Sequence, residues 1–214
     1  MDDFHERLAR VALVSAGKHG FALAGGYAVQ VHGILERPSE DVDLFTTMDA
    51  EDQFGAAVAG VVAAYQADGL ITTSLLETPG FARLLVTDAK TDDSAKVELG
   101  IDWRAHPPTI LSIGPVLHQD DAVANKITAL YSRAQTRDYI DVNATLKSDR
   151  YTGEALLALA LEHDPGFDRQ LFAHALMAVK RLPLAEFTAY NLSEADTKDL
   201  IARLTSWAAT IIGS

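Results

Sequence analysis

The chain has 214 residues, 48% of them hydrophobic, which is enough for one large core or two small ones, and no segment is long and apolar enough to span a bilayer. It has no cysteine, which excludes disulfides and thiolate metal sites and fits a cytoplasmic protein. Asp and Glu number 30 against 18 Lys and Arg, and the net charge of −12 opposes non-specific nucleic-acid binding, so a polyanionic partner would need a local basic surface or a bridging metal.

The opening residues, Met-Asp-Asp-Phe-His-Glu-Arg, are charged and lack the layout of a signal peptide. Residues 4–15 place Leu8, Val11, Ala12 and Val14 near helical spacing, and Gly17 and Gly20 bracket the end of this helix. Residues 21–24 read as a short buried strand ending at Gly25-Gly26. One or two helical turns over 27–32, closed by Gly33, and a second strand over 42–45 follow. Residues 49–67 are rich in alanine and valine and predict a helix broken by Gly69. Strands are predicted over 70–76, 82–86 and 96–103, with Gly100 as a candidate bulge. A break at 104–108 opens a boundary near residues 105–118, and beyond His118 the remainder is wholly helical, with helices over 120–132, 136–146, 153–162, 168–179 and 193–212. The fold class is therefore α+β: a mixed sheet flanked by helices over residues 1–118, then an all-α part over 119–214.

Two features carry chemistry. Gly25-Gly26 at the start of a helix lets backbone N–H groups approach a phosphate without a Cβ in the way. Asp41 and Asp43, one residue apart in a strand, project to the same face, and hard divalent cations favour such paired oxygens. Each alone is commonplace, as a tight turn or a solvated strand end. Together, within one strand–helix–strand unit, they describe both halves of a nucleotide site. The seven histidines, at 5, 19, 32, 106, 118, 163 and 174, show no metal-ligand spacing. Trp103 could stack a base, though a tryptophan there more often packs a core.

This pattern resembles the nucleotidyltransferase superfamily related to DNA polymerase beta. Within it, Arg37-x-Ser39-x-Asp41-Val42-Asp43-Leu44 is similar to the AbiEii/MenT group of toxin nucleotidyltransferases. A second stretch is similar to the same group: Asn125-Lys126, then Arg133, then Arg137-Asp138-x-x-Asp141-Val142. The resemblance covers about residues 20–145.

The resemblance implies a nucleotidyltransferase-like fold and transfer of a nucleoside monophosphate from an NTP to an acceptor hydroxyl. It implies that the acceptor is a tRNA 3′ end and that a separately encoded antitoxin is a partner. Asp41 and Asp43 would hold Mg²⁺ or Mn²⁺, Gly25, Gly26 and Lys126 would fix phosphates, and Asp141 would support catalysis. Ser39 would be a hydroxyl of the catalytic site, the alternative being turn chemistry after Pro38. A third carboxylate usually completes such a metal site. Here it is a choice between Glu98 and Asp102, with Asp102 favoured, and a two-carboxylate, one-metal site is the further alternative.

On a continuous helix Lys126, Arg133 and Arg137 would share one side, and Arg137 is a candidate for the phosphates; Asp138 and Asp141 would be helix-surface neighbours. Arg133, Arg137 and Asp138 read equally as scaffold. Two competing readings stand beside the tRNA one: a small-molecule or protein acceptor, of which a cationic aminoglycoside suits the acidic charge, and a catalytically silent nucleotide-binding protein.

Overall fold

A computed structural model describes residues 1–37 and 39–213, so Pro38, where a turn was expected, lies outside the described residues. The chain divides into two compact units, Met1–Ala122 and Val123–Ser214, and the division falls inside a helix.

The first unit contains α1 (Asp3–Ala16), β1 (Ala22–Leu23), α2 (Gly25–Val31), β2 (Asp41–Thr46), α3 (Phe54–Ala67), β3 (Ile71–Thr78), β4 (Phe81–Thr87), β5 (Ser94–Ile101), β6 (Thr109–Leu111) and β7 (Gly114–Val116), and ends in the first turn of α4 (Gln119–Arg133). The strands form one seven-stranded mixed sheet in the order β3-β4-β5-β2-β1-β7-β6. β2 lies parallel to β5, β1 lies parallel to β7, and the remaining neighbours are antiparallel. Strict alternation makes β2 two-faced: Val42, Leu44 and Thr46 are buried, whereas Asp41, Asp43 and Phe45 are half-buried. In β5 the same alternation buries Val97 and Leu99. α1 and α3 pack on each other and on the sheet. They contribute Leu8, Ala12, Leu13, Val61 and Tyr65 to the core, with the Tyr65 hydroxyl donating to Leu8 O (3.0 Å).

The register of β5 against β2 and β4 is unbroken from Lys96 to Gly100, so Gly100 makes no bulge. A Cβ there would stand 3.2 Å from a ring carbon of Phe45, so the glycine makes room for that ring. The hairpin β6–β7 lies where only a break was expected, since three-residue strands are too short to show an alternation. Residues 48–53 are a 3-10 helix, and the α-helix begins only at Phe54.

The second unit is helical: the rest of α4, then α5 (Thr136–Lys147), α6 (Gly153–His163), α7 (Arg169–Met177), the unexpected one-turn α8 (Leu184–Thr188) and α9 (Glu194–Ile212). α9 packs against α7, α5 and α8 through Leu200, Leu204, Ala208 and Ile211. Phe172 meets Trp207 edge-on at 5.3 Å, and the indole lies over Gly153, where a Cβ would stand 2.4 Å from its Nε1.

The candidate active site

α2 begins at Gly25 itself, so the glycine pair is the first turn of the helix rather than a turn before it. Each glycine accommodates a different side chain. Gly25 has φ +59°, and a Cβ on it would stand 1.7 Å from Asp43 Oδ2. A Cβ on Gly26 would stand 2.8 Å from Ser39 Oγ. A larger residue at either position would displace a side chain that the sequence assigns to the site. The β1–β2 pairing continues to this point, with Ala24 N–H donating to Asp43 O at 2.8 Å.

Across the sheet, Asp41 is in register with Lys96 and Asp43 with Glu98, and Glu98 is in turn in register with Arg83 of β4. Registered neighbours share a face and lie roughly 4.8 Å apart from strand to strand. The face therefore carries three carboxylates, of which Glu98 accepts from Arg83 Nε at 2.7 Å.

Asp102, the favoured third carboxylate, lies elsewhere. It follows the end of β5, where its N–H donates to Thr46 O (2.8 Å) and its Oδ1 accepts from Trp103 N–H (2.8 Å). It is four residue steps on from Glu98, roughly 13 Å at about 3.3 Å per residue. Glu98, not Asp102, is the carboxylate beside Asp43. Strict alternation alone would put both on one face, and the register with β2 is what sets them apart. Asp41, Asp43 and Glu98 are hard-oxygen groups of the kind a magnesium-type ion takes, on one face and in half-buried positions, with Glu98 paired to Arg83.

Ser39 is held from behind. Its carbonyl accepts from the Tyr27 hydroxyl at 3.1 Å, and that hydroxyl also lies 2.9 Å from His5 Nδ1, which bonds Asp2. Burial, then the nearby Asp2 charge, pushes the Tyr27 hydroxyl pKa up, so it stays a proton donor. Nothing in the sequence signalled this relay, because it joins the first helical turn of the chain to α2.

In the second unit Lys126 Nζ and Asp141 Oδ2 are 2.9 Å apart, bridging α4 and α5. Both residues are buried, Asp141 fully. The two helices expected over 120–132 and 136–146 are α4 and α5, parted at Ala134, which has φ +49°, so Arg137 belongs to α5 and the basic stripe that one continuous helix would make does not form. Asp138 closes the α5 capping box with Gln135 and accepts two hydrogen bonds from Arg133, at 3.0 and 2.8 Å. These contacts give Arg133 and Asp138 a structural role, fixing the turn between the two helices. Trp103, far from being core, is 47% exposed.

A glycine-opened helix set against a strand with paired aspartates, in a mixed sheet of this kind, defines a nucleotidyltransferase. The chain belongs to the AbiEii nucleotidyl transferase toxin family of type IV toxin–antitoxin systems, whose family model matches residues 7–208. No curated protein sequence matches it. Among solved structures it is similar to JHP933 from Helicobacter pylori, at 18% identity over 97% of this chain and 90% of that one, with a TM-score of 0.58. It is also similar to MenT4, the nucleotidyltransferase toxin Rv2826c from Mycobacterium tuberculosis H37Rv, at 15% identity over 96% of this chain and 83% of that one, with a TM-score of 0.58. At these identities the likeness is one of fold. Membership of the family makes an NTP the substrate and an antitoxin the partner. Among the described residues no helix is long and apolar enough to cross a membrane.

Proposed function

We propose that the chain is a cytoplasmic enzyme that transfers a nucleoside monophosphate from an NTP to the 3′-terminal hydroxyl of a tRNA, with Mg²⁺ or Mn²⁺ held by Asp41 and Asp43. The observation that carries this reading is the register of β2 and β5, which puts Asp41, Asp43 and Glu98 on one face beside the glycine-opened end of α2. Asp41 and Asp43, with Glu98 alongside, are the residues that would hold the cation; when bound it neutralises charge on the triphosphate and on the departing pyrophosphate.

The chain's own groups do the rest. An acceptor hydroxyl oxygen forms a bond to the α-phosphorus, the bond to the bridging oxygen breaks in line, and the hydroxyl proton passes to a carboxylate of the aspartate pair. First-turn N–H groups at Gly25 and Gly26, which lack intrahelical partners, serve the phosphates. Lys126 supplies a fixed positive charge, with Arg137 as a further phosphate contact. Asp141 acts through Lys126: it takes one of the three ammonium donors and fixes the direction of the others. Ser39 contributes its hydroxyl from above Gly26. Positioning and electrostatics supply most of the rate.

The test is labelling. The purified chain is given each radiolabelled NTP with Mg²⁺ and either total tRNA, an aminoglycoside pool or protein. The expected result is label at tRNA 3′ ends, lost in Asp41→Ala. Label on the aminoglycoside alone would move the acceptor to a cationic small molecule, which the net charge of −12 would favour. Wild-type labelling by Asp41→Ala would overturn the site.

A further inference from the structure

Two histidines that show no ligand spacing in sequence are brought together in the first unit by the β6–β7 hairpin. His106 precedes β6, His118 follows β7, and Asp120 lies in the first turn of α4. One ligand atom from each of the three lies within 4.8 Å of the other two. The imidazole rings stack with centroids 4.3 Å apart and planes 23° apart. His106 Nδ1 is buried, makes no hydrogen bond among the described residues, and stands 3.5 Å from Asp121 Oδ2.

The support behind these donors is built from the neighbouring residue. Asp121 is 3% exposed, and its carboxylate accepts from Ala105 N–H at 2.8 Å and from His106 N–H at 3.1 Å. His118 is fixed on the other side, where its Nδ1 accepts from Asp120 N–H at 3.3 Å and lies 3.6 Å from Asp120 Oδ2. A buried carboxylate holding the backbone of one histidine, and a helix start beside the ring of the other, fix where the two rings sit; ligation through His118 would use Nε2 or replace the Asp120 N–H at Nδ1.

We propose that His106, His118 and Asp120 form a binding site for a first-row transition-metal dication of the zinc type. Two imidazoles and a carboxylate select such ions over magnesium and calcium, which prefer oxygen ligands alone. Zinc sits about 2.0–2.1 Å from each ligand, so ligation needs small side-chain rotations, which the half-buried positions of all three residues permit. Three protein ligands leave a coordination position to solvent, so the ion exchanges and the site is an open one. Bound metal would tie the segment before β6 to the start of α4. The site uses none of the residues assigned to nucleotidyl transfer and stands whether or not that reading holds.

Cobalt(II) is the probe, added to the tag-free full chain and followed by its visible d–d absorption. One Co²⁺ per chain is expected, displaced by Zn²⁺ and untouched by excess Mg²⁺. Asp41→Ala should bind as wild type does. His106→Gln and His118→Gln should each bind about 100-fold more weakly or not at all. In wild type, Zn²⁺ should shift the imidazole resonances of His106 and His118 and leave those of His5, His19, His32, His163 and His174 in place; this reading holds even if a variant fails to fold. Absence of cobalt absorption by wild type, unchanged binding in both histidine variants, or shifts at the other five histidines would each overturn the site and leave the stack as packing.

Discussion

The two charge clusters assigned to nucleotidyl transfer sit in different physical situations. In the first unit Asp41 and Asp43 lie on a half-exposed face with Glu98 in register beside them, three carboxylates near the two cations Lys96 and Arg83. In the second unit Lys126 and Asp141 neutralise each other at 2.9 Å inside the helical core. Solvent screens the first cluster, so holding like charges together there costs the fold little. The second is desolvated, and either charge left alone would be costly. The strand carboxylates should therefore be separable from stability, and the helix pair should not.

The largest effect tests the first half of that contrast. Asp41→Ala or Asp43→Ala should lower nucleotidyl transfer by about 10³-fold or more, the several kcal/mol that a metal-held phosphate supplies. Unfolding free energy should stay within about 0.5 kcal/mol of wild type, as for half-exposed positions outside the core. Urea titration beside the labelling assay measures both, and an unfolded Asp41→Ala would break the comparison.

The next effect is on stability and belongs to the second unit. Lys126→Met or Asp141→Asn should each cost about 3–5 kcal/mol, because the remaining partner is left buried without its counterpart. The double variant Lys126→Met/Asp141→Leu should recover much of that loss while staying inactive. A double-mutant cycle by chemical denaturation would show strong coupling; additive losses would mean that the pair is not one unit.

A smaller effect separates the two candidate third carboxylates. Glu98→Gln should slow transfer by about 10–100-fold, as expected for a group completing the ligand set. Asp102→Asn, beyond the end of β5, should stay within about twofold. The reverse order would restore Asp102 and discount the register. Gly25→Ala belongs with the larger losses, because its Cβ would meet Asp43 Oδ2 and its φ is +59°.

The glycine pair and Asp41-Val42-Asp43 were legible because strand, turn and helix signals lie next to one another in the chain. Which acidic residue of β5 stands beside Asp43 was not: that needs the pairing of β2 with β5, and no local pattern fixes a long-range register. The break between α4 and α5, expected between residues 132 and 136, was legible too, and it falls at Ala134. Periodicity placed Asp138 and Asp141 as neighbours but could not show that both are fully buried. His106 and His118 come together only because the chain returns through β6 and β7, a hairpin too short to leave a signature. The family resemblance found the residues; the fold assigned several of them their physical work.

The smallest effect sharpens the comparison by placing a tied charge pair in the first unit. Arg7 donates to Asp88 Oδ2 at 2.6 Å and to Asp68 Oδ2 at 2.7 Å, joining α1 to the ends of α3 and β4. The Lys90 N–H, at 2.9 Å, and then the Arg7 guanidinium hold the Asp88 carboxyl below its usual pKa. A carboxylate lowered in the folded state stabilises above its unfolded value, about 3.9, and loses that contribution as pH falls through the lower folded value. Asp88→Asn should thus melt below wild type at pH 7, and the two melting curves should converge as pH drops under about 4. Thermal melts from pH 7 to 3 measure this. If Asp88 is tied to the fold in the way Lys126 and Asp141 are, its loss lowers stability while transfer at neutral pH stays unchanged, the opposite of what Asp41→Ala should do two strands away in the same sheet.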